Sequence, residues 1–161
     1  MRTRSALKKL NALRATIPYS SAKKIGIVFT VEDELKHQQV KDFVSKLQHE
    51  GKQVEVLEFL PKKKDNPEFR YDFFTIEDLN FWGKINSPNF EKFVKTNFDY
   101  LYNIDIQSNA LILNLLANSK ANCRIGKYEE NLTSFFELMI ETNGTNQALI
   151  DNMYIYTKKL Q

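Results

Sequence analysis

Residues 24–31, KIGIVFTV, form an almost unbroken run of β-branched, aliphatic and aromatic side chains. A strand with one wet face alternates apolar and polar positions, so a run like this predicts a strand covered on both faces. An acidic triplet, Glu32-Asp33-Glu34, follows it and puts negative charge where a helix N-terminus favours it. Val40, Phe43, Val44 and Leu47 then supply a helical apolar stripe, and Gly51 stops it. QVEVLEFL, residues 53–60, reads as a second strand. Strand, helix and strand in this order predict a right-handed βαβ unit, which places the chain among α/β folds.

The pattern continues. PKKKDNPEFRYD is a polar loop by composition, and FFTIEDLNFWGKI, 73–85, begins as a strand before turning irregular near Trp82-Gly83. Ser87-Pro88 opens a short helix with Phe90, Phe93 and Val94 on its buried side. FDYLYNID, 98–105, is a strand, and Ser108 or Asn109 starts a leucine-rich helix. NCRIG and SFFELMIE, 134–141, read as two further strands. A last helix after Asn143-Gly144 carries Leu149, Met153, Tyr156 and Leu160 in register. The expected architecture is a single Rossmann-like three-layer α/β domain with a mostly parallel, doubly wound sheet over residues 24–161. The strand order is not readable from the sequence.

A chain of 161 residues buries a real core without staples, and its 42% apolar and 27% charged content is ordinary globular usage. One cysteine, Cys123, excludes an intramolecular disulfide and a multi-cysteine zinc site, which points to a cytoplasmic protein with no metal. No segment has the about 18 apolar residues that span a bilayer, and Lys8, Lys9, Asn11 and Arg14 interrupt any signal-peptide core.

The net charge of +3 conceals an asymmetry. Residues 1–24 hold Arg2, Arg4, Lys8, Lys9, Arg14, Lys23 and Lys24 without one acid, leaving 16 bases against 20 acids in the remainder. Ala6, Leu7, Leu10, Leu13 and Ile17 share one helical face in this head, and Pro18 ends it. Residues 1–23 are therefore expected as a basic amphipathic helix and linker.

Motifs of chemistry are mostly absent. A dinucleotide fold carries a glycine-rich turn after its first strand, but TVEDELK has no glycine and three acids that repel phosphate. No P-loop and no G-x-S-x-G elbow occurs. His37 and His49 lie on different faces of one helix and read as surface residues, and Cys123 reads as a buried, inert thiol. DLNFWGKI reads as a hydrophobic plug over a sheet edge, with a base-stacking platform as its other use. Asp105 is expected at the carboxyl end of a strand, the edge where open α/β sheets hold ligands. Ser108, Asn109 and Arg124 complete a candidate small-molecule pocket there, although helix capping accounts for Asp105, Ser108 and Asn109 equally well.

With DLNFWGKI, FDYLYNID and ANCRIGKY in this order, the chain resembles a family of short Bacteroidota proteins of unknown function. The resemblance covers nearly the whole chain and supplies no activity. The stretch FDYLYNIDIQSNALILNLLANSKANCRIGKY also resembles part of the N-terminal half of heptosyltransferase-type glycosyltransferases. That likeness implies a Rossmann-like fold. It also implies that transfer chemistry is missing, because the second domain that binds the donor and the Gly-Asp turn bearing the acid are not in this sequence.

The expected function is that of a non-catalytic interaction protein without a cofactor. Its basic head, through Arg2, Arg4, Lys8, Lys9, Arg14, Lys23 and Lys24, is expected to contact an anionic partner. RNA or a ribonucleoprotein such as the ribosome is favoured over an anionic membrane, because the head has no tryptophan or phenylalanine to anchor in headgroups. An acidic protein partner, and nucleotide or sugar-nucleotide binding at the strand ends, are the competing readings.

Overall fold

A computed structural model describes residues 14–61 and 71–161. Among these residues six strands and four α-helices follow in the order β1 (Lys24–Thr30), α1 (Glu34–His49), β2 (Gln53–Leu60), β3 (Asp72–Thr75), α2 (Pro88–Lys95), β4 (Tyr100–Asn103), α3 (Ala110–Asn118), β5 (Cys123–Lys127), β6 (Leu138–Ile140) and α4 (Asn146–Lys158). The strands form one sheet in the order β3-β2-β1-β4-β5-β6, and all five ladders are parallel. The chain thus starts in the middle, winds outward through β2 and β3, and returns across β1 to β4. This is the Rossmann order, and its reversal lies between β1 and β4.

Period-two alternation along the strands splits the core into two layers. On one face Ile25, Ile27, Phe29, Tyr100 and Tyr102 pack against Val40, Phe43 and Leu47 of α1 and Leu149 and Met153 of α4. On the other, Val28, Leu57, Phe59 and Leu101 meet Phe90 and Phe93 of α2 and Ile112, Leu115 and Leu116 of α3. The helix after β1 and the helix after β4 therefore cover opposite faces, which opens a crevice between those strands at their carboxyl ends.

One sequence expectation lies mostly outside the described residues and one needs correction. The basic N-terminal helix expected within residues 1–23 falls largely on residues 1–13, outside the described residues, and where it was expected to continue to Pro18, residues 14–18 have no regular structure. Tertiary contacts claim them instead. The Tyr100 hydroxyl donates to the Ile17 carbonyl at 2.6 Å, the Tyr19 amide donates to the Leu160 carbonyl at 3.2 Å, and Tyr19 is buried. The strand expected over 134–141 is only Leu138–Ile140, because Glu130–Phe135 winds into 3-10 turns. An apolar run predicts burial more firmly than conformation, and here Phe136 is buried as an irregular residue whose ring lies over Gly126. A Cβ on Gly126 would lie 2.3 Å from that ring, so only glycine permits the approach.

Candidate functional site

The crevice at the reversal is filled by the protein's own charges. Thr30 ends β1, and the turn Val31-Glu32-Asp33 leads into α1, whose N-cap is Asp33. The Asp33 carboxylate accepts from the Lys36 amide at 2.8 Å, satisfying a donor that a phosphate could otherwise take. The Lys36 side chain turns back into the crevice, where its ammonium donates to Glu32 Oε1 at 2.9 Å and to Asp105 Oδ1 at 2.8 Å. Asp105 also accepts from the Thr30 amide at 2.9 Å and the Thr30 hydroxyl at 2.8 Å. Lys36 is 0% exposed and Asp105 4%. Burial pushes the Asp105 carboxyl up, opposed by Lys36 and by both bonds from Thr30.

The neighbouring strand holds a second buried acid. Val54, Val56 and Glu58 share one face of β2 by the period of two, which aims Glu58 under the first turn of α1. Glu58 is completely buried, and its nearest described partner is His37 Nδ1 at 3.3 Å. Neither carboxyl oxygen makes a hydrogen bond among the described residues. Burial alone pushes this carboxyl up to about 7. The His37 ring lies 5.6 Å from Tyr71 and 6.3 Å from Phe29, so the surface position expected for it is wrong. A near-neutral carboxyl beside an imidazole has the components of acid-base chemistry. The carboxyl itself, however, has no exposed surface among the described residues.

The residues of the candidate pocket have separate surroundings. Asn109 caps α3, accepting from the Leu111 amide at 2.8 Å and the Ile112 amide at 3.3 Å. Ser108 is exposed beside it. Arg124 pairs in register with Leu101, four residues before Asp105, which is about 13 Å along the strand direction at ~3.3 Å per residue. Arg124 is itself fully buried. It grips Glu137 with Nε at 2.9 Å from Oε1 and Nη2 at 2.6 Å from Oε2, and donates to the carbonyls of Leu116 at 3.1 Å and Ser134 at 3.2 Å. The structure brings Asp105 near the start of α3 but seats Arg124 toward the opposite edge of the sheet, in the layer of α3.

Among the basic residues, Arg2, Arg4, Lys8 and Lys9 lie outside the described residues. Arg14 is not a free surface cation. Its side chain is 5% exposed, 3.6 Å from Glu137 Oε1, and donates to the Ala121 carbonyl. Burial, then the nearby Arg124, lower its guanidinium to about 10. Lys24 Nζ lies 3.7 Å from Glu55, whereas Lys23 is exposed, and both backbone amides donate to Asp99 Oδ2. Cys123 is buried, and that burial pushes its thiol up to about 11.

Sequence reasoning missed Lys36, Glu58 and His37. The signals were present but weak: a lysine four residues after Glu32, and an acid in phase with two inward valines. The expected plug is also overturned, because Phe81 is 95% and Trp82 77% exposed. No helix among the described residues is long and apolar enough to cross a membrane. No curated protein matches the chain. A family model does match, over residues 2–160, and the chain belongs to that family of unknown function, DUF6913.

Proposed function

We propose that this is a non-catalytic interaction domain that docks on a polyanion, RNA or a ribonucleoprotein surface, through its acid-free N-terminal segment. The observation that carries the reading is the Lys36–Asp105 pair, which occupies the crevice where a Rossmann-order sheet would otherwise hold a nucleotide. With that site sealed, surface chemistry is left. Residues 1–13 hold four bases and no acid. Arg14, seated on the Ala121 carbonyl, ties their exit to the exposed Lys120, whose amide bonds to Val94 beside Lys95 of α2. The likeness to a glycosyltransferase half is on this reading a likeness of scaffold. Arg124 and Gly126, near the end of the stretch that carries that likeness, have packing roles here, in the Glu137 clamp and under the Phe136 ring.

The test is fluorescence anisotropy of the full chain with a 20-nucleotide labelled RNA across a salt series. Four to seven phosphate contacts give a slope of log K against log salt of about −3 to −5, at ~0.7 per contact on single strands. Replacing Arg2, Arg4, Lys8 and Lys9 by glutamate is expected to abolish binding. Absence of binding at 50 mM salt, or binding unchanged in that variant, would refute the proposal. Thermal stabilisation by a nucleotide or sugar nucleotide would refute the sealed crevice.

A further inference from the structure

Because every ladder of the sheet is parallel, each α-helix runs back from the carboxyl edge to the amino edge. Helix C-termini carry partial negative charge and favour cations, so one edge of the molecule collects the lysines of the helix ends. The last turn of α1 holds Lys46 and His49, and α4 ends on Lys158 with Lys159 as its C-cap. These two helices cover the same face of the sheet. Their ends meet over Tyr19 and Tyr154, whose hydroxyls both donate to the Glu50 carboxylate.

The rings hold the ammoniums close together. Lys46 Nζ is 3.7 Å and Lys158 Nζ 4.8 Å from the centre of the Tyr154 ring. Lys52 Nζ is 4.1 Å and Lys158 Nζ 5.9 Å from that of Tyr19. Neighbouring ammoniums are therefore within about one Debye length of each other, ~10 Å at 0.1 M salt, and their fields add. Lys23, Lys46, Lys52, Lys158 and Lys159 face two acids here, Glu50 and Asp99, and Asp99 Oδ2 accepts from the amides of Lys23 and Lys24. Two helix ends contribute about −0.5 each, which leaves an excess of about +2. Among the described residues only Lys158 of these five lies within ion-pair distance of a carboxylate, Glu50 at 3.3 Å. Lys46 and Lys159 are exposed, and Lys159 Nζ lies 5.3 Å from the centre of the Tyr156 ring. That ring is itself 48% exposed, on the last turn of α4. The carboxyl edge is the reverse, with Glu32, Asp33, Glu34, Glu77, Glu130 and Glu141 all exposed.

We infer that the seam between the ends of α1 and α4 is a platform for single-stranded RNA, with Lys46, Lys158 and Lys159 on phosphates and Tyr156 under a base. The inference rests on the reading of the acid-free N-terminal segment as a polyanion contact, and it extends that contact onto the folded domain. Unpaired lysines supply the sequence-independent phosphate attraction, and a half-exposed ring among them supplies the stacking that single strands use. The N-terminal segment enters at the same edge. Tyr19 follows it and is pinned between the two helix ends by its amide on the Leu160 carbonyl and by Lys52 Nζ on its own carbonyl at 2.7 Å. A strand held by residues 1–13 has the seam on its path and the acidic edge behind the domain.

The full chain is titrated against the same labelled RNA by anisotropy across a salt series, with inorganic polyphosphate as a competitor that has no bases. Lys46→Gln combined with Lys159→Gln is expected to lower the salt slope by about 1.4, at ~0.7 per phosphate, and to weaken binding about 25-fold at ~0.1 M salt. Arginine at both positions is expected to restore slope and affinity. Lys84→Gln combined with Lys127→Gln removes the same charge away from the seam and is expected to leave the slope unchanged. Tyr156→Ala is expected to weaken RNA binding about tenfold and to leave competition by polyphosphate as it was. A natural slope in the Lys46 and Lys159 variant, while glutamate at Arg2, Arg4, Lys8 and Lys9 abolishes binding, would overturn the seam alone. An equal loss from the Lys84 and Lys127 variant would reduce the effect to net charge and overturn it too. Binding that survives the glutamate replacement but is lost in the seam variant would support the seam and refute the N-terminal contact. A natural chain that binds no RNA at about 50 mM salt would overturn both.

Discussion

Replacing Glu58 by glutamine tests the electrostatics of the core at a single side chain. The Glu58 carboxyl is completely buried and has risen from an ordinary 4.5 to about 7 through burial. Between those values the folded protein holds a proton that the unfolded chain has released. Stability therefore falls as pH rises through that window and levels off above about 7. At 1.36 kcal/mol per pKa unit the whole loss is about 3 kcal/mol. Glutamine is nearly isosteric and cannot ionise. The stability of Glu58→Gln relative to the natural chain is thus expected to climb from its pH 4 value by about 3 kcal/mol at pH 8. Asp105 titrates in both proteins and cancels. Urea unfolding followed by far-ultraviolet circular dichroism at half-unit pH steps measures the difference. The fluorescence of Trp82 does not serve, since that ring is exposed in the native fold. A difference that stays flat with pH, or one that shrinks as pH rises, would refute the reasoning. In the second case His37, 3.3 Å away, would be acting as a strong counter-charge.

Three further outcomes follow from the packing. Asp105→Asn removes the carboxylate from a buried ammonium and is expected to cost about 3–5 kcal/mol in urea unfolding, most of which Lys36→Met combined with Asp105→Leu recovers. Gly126→Ala drives a methyl into the Phe136 ring. Its expected cost of about 1–3 kcal/mol disappears in a Phe136→Ala background, as a double-mutant cycle shows. Arg124→Lys loses the two-pronged grip on Glu137 and the bonds to two carbonyls, for an expected loss of about 2–3 kcal/mol by thermal unfolding.

The fold class was legible because local signals agreed with the tertiary answer. The stripe of Val40, Phe43, Val44 and Leu47 is buried against the sheet, and Ser87 caps α2 as its position before Pro88 requires. Strand order was not legible. The pairing of β1 with both β2 and β4 is a property of contacts far apart in sequence, and nothing in residues 24–31 names its neighbours. Buried ionisable groups were hidden for a related reason. Lys36 and Glu58 look like solvated polar positions until Asp105 and His37 arrive from elsewhere in the chain. The misjudged aromatics show the converse. Composition made Phe81 and Trp82 look like a plug over a sheet edge, and only the turn around Asn80 and Gly83 reveals that their backbone points them outward.

A doubly wound sheet opens a crevice at its reversal whatever its sequence, because the helices after the two central strands leave for opposite faces. Proteins that bind nucleotides there keep the turn after β1 narrow with glycine, so that bare amides meet the phosphate. Here Glu32 and Asp33 fill that turn with side chains, and the Asp33 cap takes an amide for itself. Placing an ammonium in the gap then obliges an anion to come from across the reversal, and Asp105 supplies it after β4. Closing the crevice and tying β1 to β4 are therefore one arrangement. A ligand that entered would have to part the pair. At about 3–5 kcal/mol for exposing one buried charge to the loss of its partner, a micromolar ligand would become a millimolar one. That penalty is the physical reason to look for this protein's partners on its surface.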